Sequence, residues 1–138
     1  MKLITVLALA TAIAGYGGVA TAADPAKGET TFKRCRTCHS IVAPDGTEIV
    51  KGGKVGPNLY GVVGRQVASI EGFSYGKSLA AVGDTGMVWD EASIAVYVTD
   101  PKAWLAETLG DPGAATKMAF KLNAGAEDVA AYLASVGN

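Results

Sequence analysis

The sequence is short of the side chains from which metal and redox sites are commonly built. Histidine occurs once, at position 39, and cysteine twice, at positions 35 and 38. A structural zinc site takes four Cys/His ligands, and three such side chains cannot supply them. No alternating apolar and polar run marks a strand, so the βαβ setting of a thioredoxin-like Cys-x-x-Cys pair is missing. Charge of either sign is in no great excess, with 12 Lys/Arg against 13 Asp/Glu. A nucleic-acid-binding domain is expected to be strongly basic, and this one is not.

The few such residues present are adjacent. Cys35-Arg36-Thr37-Cys38-His39 is the attachment signature for c-type haem. Each thiol can add across one porphyrin vinyl group, and two intervening residues let one helical turn present both sulfurs to the same macrocycle edge. The next residue, His39, then offers an imidazole nitrogen as a proximal iron ligand. A small-loop disulfide is the competing use of two thiols in an exported chain, but the adjacent histidine favours haem. With His39 used, methionine is the natural second axial ligand, because a thioether partner stabilises ferrous iron. Beyond the first residue the candidates are Met87 and Met118. Met118 falls in a loop between helical segments, whereas Met87 lies directly ahead of Trp89, in what reads as core.

The chain opens on an export signal: Lys2, an apolar run from Leu3 to Ile13, and a small-x-small site at Ala20-Thr21-Ala22. The run is too short, and too interrupted by glycine, for a membrane span. Cleavage after Ala22 or Ala23 is expected, making residues 1–22 a signal peptide and residues 23–138 a single domain. Between Asp24 and Arg65 seven Lys/Arg face four Asp/Glu, and between Gln66 and Thr116 two face seven. Such a dipolar distribution steers one face toward a negatively charged partner.

The fold expected is all-α. Asp24-Pro25 reads as an N-cap and first helical residue, with a helix running to about Cys35. Gly28 costs helix propensity and predicts close approach by another helix. That partner is Ala126 to Val136, where Val129, Tyr132, Leu133 and Val136 fall at i, i+3, i+4 and i+7. The terminal helices then cross and close the domain. Shorter helices are predicted at Lys77 to Val82, at Glu91 to Val98 after the cap Asp90, and at Lys102 to Leu109. Eighteen glycines, nearly twice the usual share of about 7%, predict long irregular loops wrapped around the macrocycle.

The chain resembles class I c-type cytochromes, most closely the bacterial cytochrome c2 and c550 branch. The match includes Lys27-Gly28 with Phe32, Cys35 to His39, Gly56 to Arg65, and Gly72 to Tyr75. It continues through Trp89, Tyr97, Asp100-Pro101-Lys102, Thr116 to Phe120, and Ala131 to Leu133. The resemblance implies one covalently bound haem c, with Cys35 and Cys38 as thioethers and His39 and Met118 as axial ligands. It implies that the Pro57 carbonyl orients His39, that Arg65, Tyr75 and Trp89 lie beside the propionates, and that Tyr97 and Thr116 approach the Met118 sulfur. Lys33, Lys54, Lys117 and Lys121 would border the exposed haem edge and dock on acidic partners. The implied role is a monomeric, soluble, periplasmic electron shuttle and not an enzyme. Its implied donor is a cytochrome bc complex, and its acceptor a photosynthetic reaction centre or terminal oxidase. Relative to the short mitochondrial pattern, extra residues appear around Ala43 to Lys51 and Ala106 to Ala115. The proline-glycine pair usual before the Thr-Lys-Met loop is absent.

Overall fold

The computed structural model describes residues 21–137. The expected signal segment falls almost wholly outside the described residues. Five helices are present among the described residues: α1 (Pro25–Phe32), α2 (Lys77–Asp84), α3 (Glu91–Thr99), α4 (Pro101–Leu109) and α5 (Ala126–Ser135). Each lies within a few residues of its predicted span, and none of the described helices is long and apolar enough to cross a membrane. The all-α expectation needs one amendment. Strands β1 (Ile41–Val42) and β2 (Glu48–Val50) form a small antiparallel ribbon, pairing Ile41 with Val50 and Val42 with Glu48. It is closed by the Pro44-Asp45-Gly46 turn, where Gly46 has φ 88° and Asp45 Oδ1 accepts from the Thr47 amide at 2.9 Å. A two-residue strand is too short to show alternation, so the pattern could not announce it.

The first helix starts where its cap dictates. Asp24 Oδ1 accepts from the Ala26 and Lys27 amides at 3.0 and 3.3 Å. The Asp24 amide in turn donates to Asp128 Oδ1 at 2.7 Å, joining the starts of α1 and α5 across 104 residues of chain. Between these helices Gly28 lies so close to α5 that a β-carbon there would overlap the Asp128 carbonyl and approach Tyr132 Cβ to 2.8 Å. The Phe32 and Tyr132 rings meet at 5.6 Å. Phe32, Val129 and Leu133 are all nearly inaccessible, and burying side chains of this size stabilises a fold by about 1.5–3 kcal/mol each. The regular α1 ends at Phe32, not at Cys35. Beyond it the chain continues in turns through the Cys-x-x-Cys segment.

Helix α3 packs on α5 and, with α4, builds the next part of the domain. Asp90 and Ser93 form a reciprocal capping box at the start of α3. One residue, Asp100, both ends α3 and caps α4, its Oδ1 accepting from the Ala103 amide at 3.1 Å. Gly110, left-handed at φ 63°, terminates α4. Trp104 on α4 stacks on Trp89 at 5.1 Å and meets the Tyr97 ring edge-on at 5.3 Å, an aromatic cluster for which Trp104 gave no sequence signal.

Two outcomes follow. Gly28→Ala forces α1 off α5 and should cost on the order of 1–3 kcal/mol, the usual price of overpacking, read as a lower urea midpoint. Acid should also destabilise. Hydrogen bonds from Ser93 to Asp90, from Lys121 to Asp100 and from the Thr47 amide to Asp45 hold these carboxyls below their ordinary value when folded. Their contribution is therefore complete above the ordinary carboxylate pKa and is lost as pH falls through it toward the lower folded values. The urea midpoint should drop between pH 5 and pH 3, and drop less in Asp90→Asn.

Candidate functional site

The segment carrying the thiols winds as a tight turn. The Cys38 and His39 amides both donate to the Cys35 carbonyl, at 3.1 and 2.9 Å. Cys35 and Cys38 are both free thiols of intermediate exposure. Burial raises the Cys35 pKa, with the neighbouring Cys38 adding to the rise and Arg34 opposing it. The thiol is therefore protonated at neutral pH.

His39 is set by a single strong contact. Its Nδ1 lies 2.8 Å from the Pro57 carbonyl oxygen. A carbonyl can only accept, so Nδ1 carries the proton. Burial lowers the His39 pKa more than the Pro57 bond raises it, which favours the neutral ring. A neutral ring protonated on Nδ1 has its lone pair on Nε2, the atom a metal ion would require. Nε2 has no hydrogen bond among the described residues.

The glycines of the following loop are placed against this turn. A β-carbon on Gly56 would strike the His39 ring, 2.6 Å from Nδ1, and one on Gly52 or Gly53 would strike the motif's own carbonyls. The Gly53 and Gly56 amides donate to the Arg36 and Cys38 carbonyls, both at 2.8 Å. In this irregular loop the glycines are contact surfaces for the Cys-x-x-Cys-His turn itself. Asn58 then fastens the loop to β1, accepting from the Val42 amide at 3.0 Å and donating to its carbonyl at 2.8 Å. Arg65 closes it, Nη2 donating to the Asn58 carbonyl and Nη1 to that of Tyr60, each at 3.1 Å. Asn58 was part of the family pattern without a role, and its signal was its place directly after Pro57.

Arg65 has a second set of neighbours. Its chain pairs with Trp89, whose amide donates to the Arg65 carbonyl at 2.9 Å. Tyr75 lies near enough to oppose, electrostatically, the lowering of the Arg65 pKa by burial. The Tyr75 hydroxyl accepts from the Ile70 amide at 3.2 Å. Arg65 thus has Tyr75 in electrostatic reach and is paired with Trp89 through the backbone.

A second group gathers around Met118. Its amide donates to Thr116 Oγ1 at 3.0 Å. Nearby, burial raises the Tyr97 pKa and the side chain of Thr116 opposes the rise. Met118 is partly exposed, whereas Met87 packs on the hydrophobic core. From the motif side, the Arg34 guanidinium lies 5.4 Å above the Phe120 ring, within cation–π range, and so links the residue before Cys35 to the loop of Met118.

The four lysines expected at the edge differ in their surroundings. Lys33 and Lys54 are exposed and make no ion pair or hydrogen bond through their side chains among the described residues. Lys117 Nζ donates to the Ser74 carbonyl at 2.9 Å, and Lys121 Nζ is 2.6 Å from Asp100 Oδ2.

No family model matches the chain. It is 53% identical over 136 residues to cytochrome c-550 of Paracoccus versutus, a match covering 97% of this chain and 88% of that one. It is 58% identical over 132 residues to cytochrome c2 of Rhodobacter capsulatus, covering 96% and 93% respectively. The solved structure of ferric cytochrome c-550 from Paracoccus versutus matches with a TM-score of 0.82 at 56% identity, covering 84% of this chain and 99% of that one. The chain belongs to the cytochrome c2 and c-550 branch of the class I c-type cytochromes.

Proposed function

We propose that this chain is a soluble, monomeric, periplasmic carrier of single electrons. It would hold one covalently attached haem c and run between a cytochrome bc complex and a photosynthetic reaction centre or terminal oxidase. The observation that carries the reading is the His39–Pro57 hydrogen bond. It leaves an imidazole lone pair directly beside two free thiols, in a chain more than half identical to cytochromes c2 and c-550.

The donor set fits the group. Cys35 and Cys38 would hold it through thioether bonds, and His39 Nε2 and Met118 Sδ would ligate its iron. The bound haem supplies a reversible one-electron change between ferrous and ferric iron. With His39 and Met118 both on the iron, no position would remain for a substrate, which suits a carrier and not an enzyme. Pro57 fixes the His39 ring and increases its basicity. Arg65, Tyr75 and Trp89 offer a cation, a hydroxyl and an indole N–H to carboxylates drawn partly out of water. Tyr97 and Thr116 keep the neighbourhood of Met118 polar and ordered. Lys33 and Lys54, free of internal partners, supply positive charge for transient docking on an acidic partner.

The optical spectrum of the holo-protein tests ligation. The oxidised form should show the near-infrared sulfur–iron charge-transfer band, and Met118→Ala should abolish it. Survival of the band in that variant would transfer the ligand role to Met87. Docking is tested by kinetics. The second-order rate of electron transfer to an acidic partner should fall as ionic strength rises, with a shallower slope in Lys33→Gln/Lys54→Gln. A rate indifferent to salt would remove the electrostatic docking model.

A further inference from the structure

The chain leaving Met118 is anchored twice within four residues. Lys121 Nζ meets Asp100 Oδ2 at 2.6 Å, and the next amide, of Leu122, donates to the Val98 carbonyl at 2.8 Å. Leu122 itself is buried to 1% exposure. Asp100 is an unusually fixed partner. It stands at the junction of α3 and α4, and its other oxygen is committed to the Ala103 amide at the start of α4. The carboxylate is therefore oriented by a helix end, and the lysine binds a group with little freedom of its own. On the other side of Met118, Lys117 reaches the Ser74 carbonyl. A lysine meant solely for docking would gain nothing from so specific an internal partner.

We propose that the Lys121–Asp100 ion pair is a positioning device for Met118. It holds the segment after Met118 against the α3–α4 junction and limits how readily the thioether yields its place to an incoming ligand. The inference rests on the reading of Met118 as an axial ligand. Lys121 is then a positioning residue, and the freely available docking charge falls to Lys33 and Lys54. The pair is partly exposed, at 54% for the Lys121 side chain and 37% for that of Asp100, which bounds the effect. Exposed ion pairs are worth no more than about a fivefold change in an equilibrium constant.

The test uses the oxidised holo-protein and imidazole as the competing ligand, followed by loss of the sulfur–iron charge-transfer band. Lys121→Met should bind imidazole about two- to fivefold more tightly than the parent. Lys121→Arg should restore the parent affinity. Asp100→Asn retains an oxygen for the α4 cap but loses the charge, and should match Lys121→Met. The double variant Asp100→Asn/Lys121→Met should bind no more tightly than either single variant, since both remove one interaction. At about 1 M salt, where screening extends over only about 3 Å, the difference between parent and Lys121→Met should shrink. Parent affinity in Lys121→Met, or additive effects in the double variant, would overturn the proposal. So would a Lys121→Met variant that changes only the salt dependence of electron transfer, which would return Lys121 to docking. Failure of the underlying ligand reading is seen separately, as a charge-transfer band that persists in Met118→Ala.

Discussion

The hydrogen bond from His39 to the Pro57 carbonyl is the constraint from which the site is built. It couples the turn that carries the thiols to a loop 18 residues further along, and it selects the tautomer that leaves Nε2 available. Keeping that distance requires the loop to lie flat on the turn, which is why Gly52, Gly53 and Gly56 have no room for side chains. It requires the far side of the loop to be fastened too, by Asn58 to β1 and by Arg65 to the Asn58 and Tyr60 carbonyls. One orienting contact thus accounts for the three glycines at positions 52, 53 and 56 and for a half-buried arginine.

The Met118 side is organised differently. No secondary structure carries it, and its shape comes from side-chain contacts with Ser74, Asp100 and Arg34 and from the backbone bond of Leu122 to Val98. Irregular segments of this kind have low intrinsic stability and depend on the elements they are tied to. The histidine ring is held by a carbonyl of a loop packed backbone on backbone against its own turn, whereas the methionine segment is tied down mainly through side chains.

Much of this was legible in the residues. Asp24-Pro25, Asp90 and Asp100-Pro101 announced helix starts because caps act locally and need no knowledge of the fold. Gly28 announced a close helix–helix approach because an interior glycine costs propensity and needs a compensating contact. The β1–β2 ribbon was not legible, since two- and three-residue strands carry no period. Nor were the partners of Lys117 and Lys121. Ser74 lies 43 residues from Lys117 and Asp100 lies 21 from Lys121, and a surface lysine looks the same in sequence whether it faces water or a carboxylate. Trp104 escaped for a related reason: its stacking partner Trp89 lies across the fold, beyond the reach of any local pattern.

The bond between the starts of α1 and α5 bears on the order in which this molecule can be assembled. Asp24 and Asp128 are separated by 104 residues, and Gly28 and Phe32 are covered by side chains and backbone of α5. While the chain is being extended, nothing yet exists to cover α1, and the thiols a few residues beyond it emerge without their final neighbours. The Gly61 amide, in the loop that bears Pro57, likewise waits for the Val136 carbonyl. Contacts of such long range form late and slowly. The packing of α1, which leads directly into the segment of Cys35 and Cys38, is therefore complete only once the last helix has arrived.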